Sequence, residues 1–140
     1  MKIIATDINV AVLDRARQGA YRQLEVNRGL PIGMLMKYFD REGAEWKLKP
    51  VIRNMVKFTE LNLLDAWACV GPQDVVFIRN VLIYFDVATK RRLLGRIRNL
   101  LAQDGFLVLG GAETTINLDD SYVSVKIGPG IYYQPKLTHA

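Results

Sequence analysis

The sequence predicts an α/β protein built on a mostly parallel sheet with one antiparallel edge. Three observations carry this. Apolar runs of strand length alternate with helical patterns, as in 3–6 followed by 10–18 and 74–78 followed by 87–101. Glycine and polar turns punctuate the alternation, at Gly19, Gly43, Gly71-Pro72 and Asp104-Gly105. The chain closes on two strand-like runs, 122–127 and 131–134, around Gly128-Pro129-Gly130, the pattern of a hairpin. Alternation of strand and helix favours parallel pairing, and a terminal hairpin adds antiparallel strands at one side.

Each element has its own signal. Residues 3–6 read as a short buried strand ending at Asp7. In 10–18, Val10, Leu13 and Ala16 recur at about one helical turn, with Asn9 as N-cap and Gly19 as stop. Residues 21–30 read as irregular. Pro31 opens a short helix through Met34, Leu35, Met36 and Phe39. Gly43 marks a turn, and residues 46–49 alternate as a half-buried strand does. Residues 51–58 form a helix or a strand, leading to Asn62-Leu63-Leu64. The apolar strand 74–78 is broken by Arg79-Asn80 and followed by Val81-Leu82-Ile83-Tyr84-Phe85. The segment 87–101 is the clearest amphipathic helix. Leu93, Leu94, Ile97, Leu100 and Leu101 face inward, and Lys90, Arg91, Arg92, Arg96 and Arg98 face outward. Residues 106–109 read as a buried strand that Gly110-Gly111 ends.

Composition narrows the function classes. A chain of 140 residues has the length of one compact domain, roughly 100–150 residues. Half of it is hydrophobic and 24% is charged, the balance of a folded globule. Nineteen Lys and Arg against fourteen Asp and Glu give +5. That suits an acidic partner and falls short of a polybasic tract, so no nucleic-acid partner is expected. No apolar run approaches the ~20 residues of a membrane span, and no signal-peptide pattern opens the chain. With one cysteine, Cys69, and one histidine, His139, neither a disulfide framework nor a Cys-His or Ser-His-Asp set is available. No metal centre is expected, and the expected setting is reducing and cytoplasmic. Neither G-x-x-x-x-G-K-[ST] nor G-x-G-x-x-G occurs, which disfavours phosphate-loop chemistry.

Four places carry groups suited to a ligand. Asp7 ends an apolar strand, where a carboxylate accepts hydrogen bonds from ribose hydroxyls; capping of the next helix accounts for it equally well. Arg79 and Asn80 follow the strand 74–78 and face either the same ligand crevice or an ordinary turn. Tyr84 offers a hydroxyl to that crevice, against the commoner fate of a buried aromatic. Asn62 and Leu63 pair an amide with an apolar side chain, one suited to the edge of a purine and the other to its face; a loop cap is the plain alternative. The basic face of 87–101 reads as solvated. Trp46, flanked by Lys47 and Lys49, reads as packing beneath a sheet, with an acidic or peptide partner as the second option.

The motifs also run in a recognisable order. Ala5-Thr6-Asp7-Ile8, Gly19-Ala20-Tyr21, Arg28-Gly29-Leu30-Pro31, Tyr38-Phe39 and Asn62-Leu63-Leu64 precede Arg79-Asn80-Val81-Leu82-Ile83-Tyr84-Phe85-Asp86. Gly105-Phe106-Leu107 and Gly110-Gly111-Ala112-Glu113 follow. This order resembles the S-adenosylmethionine-binding domain of CheR-type chemoreceptor glutamate methyltransferases, over nearly the whole chain to about residue 134. The resemblance implies a Rossmann-like methyltransferase fold. It assigns Asp7 to the cofactor ribose, Asn62 and Leu63 to its adenine, Arg79 and Asn80 to further cofactor contacts, and Tyr84 to the neighbourhood of the transferred methyl. It implies chemoreceptor cytoplasmic helices as partners and S-adenosylhomocysteine as product. Residues 34–58 resemble a small β-subdomain that touches the receptor, within a single partial catalytic domain, 1–140.

The family's N-terminal helical domain, and its first strand with a Gly-rich turn and helix, have no counterpart here. The resemblance therefore implies an incomplete fold that begins at its second strand. The strands ending at Asp7 and Ile78 are each expected to keep an unpaired edge. Self-association through those edges follows as an expectation, as does weak cofactor binding by the isolated chain. The expected function is methyl transfer from S-adenosylmethionine to receptor glutamates. The alternative is a truncated, non-catalytic module that binds a receptor or partner without turnover. A methyltransferase acting on RNA or a small molecule shares the fold but not the Arg-Asn-Val-Leu-Ile-Tyr-Phe-Asp match.

Overall fold

A computed structural model of the chain describes residues 1–137. His139 lies outside them. The chain forms two compact units, Met1–Trp67 and a second from Ala68 onward.

In the first unit, β1 (Ile3–Asp7) leads into α1 (Val10–Gln18). Asn9 caps the helix: its Oδ1 accepts the amides of Ala11 and Val12 at 3.0 and 3.3 Å. Gly19 ends it at φ 66°, the left-handed region that a Cβ disfavours, and its N–H returns to the Arg15 carbonyl. The run expected to be irregular is ordered instead, as β2 (Ala20–Arg22) and α2 (Gln23–Val26). Three residues are too few to show an alternation; β2 is a strand because it pairs with a strand 25 residues further on, Ala20 opposite Lys47 and Arg22 opposite Glu45. Then come α3 (Ile32–Tyr38), β3 (Phe39–Glu42), β4 (Glu45–Leu48), α4 (Pro50–Arg53) and β5 (Val56–Glu60). The segment 51–58 is thus helix first and strand after.

These strands form two sheets. β1 and β5 pair in parallel, with Ile3 opposite Val56 and Asp7 opposite Glu60. β2, β4 and β3 form an antiparallel sheet in that order. Its core is Val26, Leu35 and Trp46, with Tyr21, Leu30 and Phe39 packed against it. Trp46 is 8% exposed and its Nε1 donates to Gln23 Oε1 at 2.7 Å. It is therefore a packed residue, and Lys47 and Lys49 pair with Glu42 and Asp40.

The second unit opens with β6 (Gln73–Ile78), a 3-10 turn at Leu82–Tyr84 and α5 (Val87–Leu100), followed by β7 (Leu101–Leu109), β8 (Tyr122–Ile127) and β9 (Gly130–Pro135). The sheet order is β6-β7-β9-β8. β6 and β7 are parallel, and the terminal hairpin adds antiparallel pairing, as expected. Asp104-Gly105 does not divide helix from strand. It lies inside β7, at an irregularity where Gln73 faces Leu101 but Val75 faces Phe106.

Asp86 caps α5 by accepting the Thr89 amide at 2.7 Å. Leu93, Leu94 and Ile97 form the buried stripe of the helix. Arg98 departs from its expected outward position. It is half-buried: its Nη2 donates to the Lys136 carbonyl at 3.2 Å, while its Nε is buried without a hydrogen-bond partner among the described residues. Tyr122 donates its buried hydroxyl to the Leu94 carbonyl at 2.8 Å. Burial, then the nearby charge of Asp119, raises its pKa well above the ordinary value, against the opposing pull of Arg98. A phenol of raised pKa contributes stability below the unfolded value near 10, and loses it as pH rises toward the folded value. Tyr122→Phe is expected to cost about 1 kcal/mol, read as a lowered midpoint in thermal denaturation near neutral pH. An unchanged midpoint contradicts the hydrogen bond.

The α/β class holds, with parallel pairing at β1–β5 and β6–β7. The proportion differs from the expected mostly parallel sheet. Among the described residues two ladders are parallel and four antiparallel, distributed over three sheets. The reason is in the pairing of β1 and β6. Each has one ladder partner and one open edge among the described residues, so no strand joins the parallel pairs into one sheet. Two further departures concern the faces of these strands, on which little packs among the described residues. β1 has no fully buried residue, and Phe77, in the most apolar strand of the sequence, is 72% exposed. No helix among the described residues is long and apolar enough to cross a membrane.

Candidate functional site

In the first unit the polar groups singled out from the sequence gather beyond the carboxyl ends of one parallel strand pair. Asp7 ends β1, and the Leu61 amide just past β5 donates to the Asp7 carbonyl at 3.0 Å. Asn62 follows directly, so Asp7 and Asn62 leave adjacent strands side by side. The Asp7 side chain partly fulfils the capping reading, since its Oδ1 accepts the Asn9 amide at 2.8 Å. Oδ2 makes no hydrogen bond among the described residues and remains an acceptor. Asn62 Oδ1 accepts the Leu64 amide at 3.0 Å, a local turn that leaves its side-chain N–H groups as donors. The Leu63 carbonyl accepts from Trp67 Nε1 at 3.1 Å, which anchors the loop. An acceptor for hydroxyls and a donor beside an apolar side chain form a set that fits a nucleoside.

The second unit carries the other residues on one turn. Arg79 and Asn80 are exposed directly after β6. Asn80 adopts φ 57°, a left-handed conformation that asparagine tolerates better than most side chains. Tyr84 ends the 3-10 turn and is 80% exposed, so the buried-aromatic reading does not hold for it.

Sequence reasoning passed over the group that organises this turn. Glu113 lies just beyond β7, and its carboxylate accepts four backbone amides. Gly110 and Asn80 donate to Oε2, both at 2.7 Å; Val81 and Ile83 donate to Oε1 at 3.0 and 3.3 Å. Burial works against ionisation of Glu113. The amides of Gly110, Asn80, Ile83 and Leu82 outweigh it and hold the carboxyl below its ordinary range. Because its folded pKa is lowered, Glu113 contributes stability above the ordinary glutamate value near 4.3, and that stability is lost as pH falls through the folded value. Gly110 is required by the same packing. A Cβ there would run into Asn80 Oδ1 and stand 2.7 Å from Glu113 Oε2 and 2.9 Å from the Asn80 nitrogen. The available signal was an acid three residues after the first glycine of a strand-ending pair. Its partners at 80–83 lie some 30 residues away, where no local pattern reaches.

Parallel strand pairs with polar groups beyond their carboxyl ends define an α/β protein with the ligand-side layout of that class. The comparisons with known proteins identify it further. Residues 1–130 match the family model described as CheR methyltransferase, SAM binding domain. The chain is 45% identical over 137 residues to Chemotaxis protein methyltransferase 1 of Pseudomonas aeruginosa, covering 97% of this chain and 50% of that protein. It is 43% identical over 136 residues to Chemotaxis protein methyltransferase Cher2 of Pseudomonas putida, covering 96% and 50%. It is 39% identical over 124 residues to Chemotaxis protein methyltransferase of Escherichia coli, covering 84% and 43%. The chain belongs to the CheR methyltransferase family, as its S-adenosylmethionine-binding domain, and its α/β architecture is consistent with a Rossmann-like methyltransferase fold. It spans about half the length of these relatives.

Proposed function

We propose that the chain is part of the catalytic domain of a chemotaxis methyltransferase and transfers a methyl group from S-adenosylmethionine to glutamate carboxylates of chemoreceptors. The observation that carries this is the gathering of Asp7 and Asn62 beyond the carboxyl ends of the parallel pair β1–β5, in a chain of this family. Asp7 accepts the ribose hydroxyls, and Asn62 and Leu63 receive the adenine. Arg79 and Asn80 make further cofactor contacts, and Tyr84 stands near the methyl. Once bound, the cofactor supplies a methyl group activated by its sulfonium. The acceptor carboxylate is already ionised at neutral pH, with a reference pKa near 4.3, so the chain need supply no general base. Its residues orient the reactants and keep water away. The antiparallel sheet β2-β4-β3 contacts the receptor, whose acidic surface suits a chain of net charge +5.

The test is calorimetric titration of the chain with S-adenosylhomocysteine. Weak binding is expected, with Asp7→Ala lowering the affinity about tenfold or more, since a charge-assisted contact is lost. No binding at millimolar ligand, or equal binding by the variant, rejects the reading.

A second reading is favoured by the open edges of β1 and β6 and the exposed Phe77. In it the chain associates, with a second copy or another partner, through these edges without turnover. Light scattering that shows a monomer at every concentration counts against association with a second copy.

A further inference from the structure

The strongest unexplained feature of the second unit is the saturation of one carboxylate by main chain. A carboxylate has about four acceptor positions, and Glu113 commits them to Gly110, Asn80, Val81 and Ile83. A group so occupied has no lone pair left for a substrate proton, so Glu113 is no general base in spite of its place beside the turn. The backbone explains why the amides converge. Asn80 is left-handed at φ 57°, and Val81 follows with φ −118° and ψ −42°. Successive left- and right-handed residues turn their N–H groups to one side and form a concavity for an anion. Here the anion is built into the chain. Glu113 also bonds Gly110 at the end of β7, so one side chain ties the turn after β6 to the end of the neighbouring parallel strand.

We propose that Glu113 is a positioning residue, whose carboxylate fixes the 79–84 turn and thereby the placement of Asn80 and Tyr84 for cofactor and methyl transfer. The functional half of this rests on the cofactor reading above; the clamp itself does not. Glu113 acts through the turn and touches neither reactant. Gly110 belongs to the same device, because only an unsubstituted Cα leaves room for the Asn80 amide to reach the carboxylate.

The test compares the parent chain with Glu113→Gln and Glu113→Asp by amide hydrogen exchange and by titration with S-adenosylhomocysteine. Glutamine keeps the shape but turns an NH2 group toward one pair of amides. Glu113→Gln is expected to speed exchange at Asn80, Val81, Ile83 and Gly110 about tenfold or more, with the Leu94 amide of α5 unchanged, and to weaken ligand affinity about tenfold. Glu113→Asp keeps the charge on a shorter arm and is expected to restore part of both. Should the glutamine variant unfold, with Leu94 exchanging as fast as the turn, the aspartate variant decides the matter by the same two readouts. Unchanged exchange at the four amides overturns the clamp. Faster exchange with unchanged affinity overturns the positioning role. If the parent chain binds no ligand, the cofactor reading falls, and the positioning role with it, while the clamp is judged on the amides alone.

Discussion

Trp46→Ala is expected to destabilise the first unit by about 3–5 kcal/mol, enough to unfold its small antiparallel sheet in a protein of ordinary marginal stability. The strands β2, β3 and β4 have three or four residues each. So few ladder bonds do not hold a sheet alone; it needs an apolar face to bury. That face is centred on Trp46, 8% exposed, with Val26 and Leu35 beside it. Tyr21 and Phe39 meet edge to face at 6.1 Å across the same core. Alanine leaves a void the size of an indole and strips Gln23 Oε1 of its partner. Trp46→Phe keeps most of the volume and is expected to cost less. Amide exchange reads the result: Lys47 and Leu48 should lose protection while Leu107 and Val108 of the second unit keep theirs. Retained protection at β4 would show that the sheet stands without its core.

Leu94→Ala is the corresponding change in the second unit, with an expected cost of about 2–5 kcal/mol. Leu93 and Leu94 are fully buried and Ile97 nearly so, one turn further along α5. The Leu94 carbonyl also receives the Tyr122 hydroxyl, so the helix is held at this level by packing and by a hydrogen bond from β8. Truncation removes the packing and leaves the bond to a loosened helix. Chemical denaturation measures it. A loss under about 1 kcal/mol, below the range for a buried leucine, would mean that the neighbours close the void. The wide range reflects how far a site can relax, which sequence does not encode.

The legible parts of the fold were those with local causes. The span of α1 followed from Asn9 and Gly19, which cap it as their chemistry requires; of the apolar spacing only Leu13 is buried, while Val10 is exposed. The stripe of α5 and the terminal hairpin were equally plain. β2 was missed because pairing with β4 makes the strand, and no short-range pattern announces a three-residue ladder; α2, a single turn of four residues, is too short to show a helical period. The openness of β6 inverted the usual meaning of an apolar strand: Val75 and Phe77 are exposed because nothing among the described residues covers them. At the site, Asp7 was legible as a strand-end group, and Asn62 as an amide following a segment read as helix or strand. Their adjacency depends on the parallel register of β1 with β5, a contact across some 50 residues. Arg98 shows the same limit in reverse, since helical periodicity placed it outward while it lies half-buried and bonds a carbonyl of the C-terminal segment.

By itself the sequence determined the α/β class, the two caps of α1, the family resemblance and the residues that crowd the strand ends. Each is a property of spacing within a few residues or of motif order. The tertiary structure alone decided which strands share a sheet, which edges stay open, and that Glu113 gathers the amides of the 79–84 turn. These depend on groups far apart in the chain, and a backbone N–H finds its acceptor by position in space, which residue type does not specify.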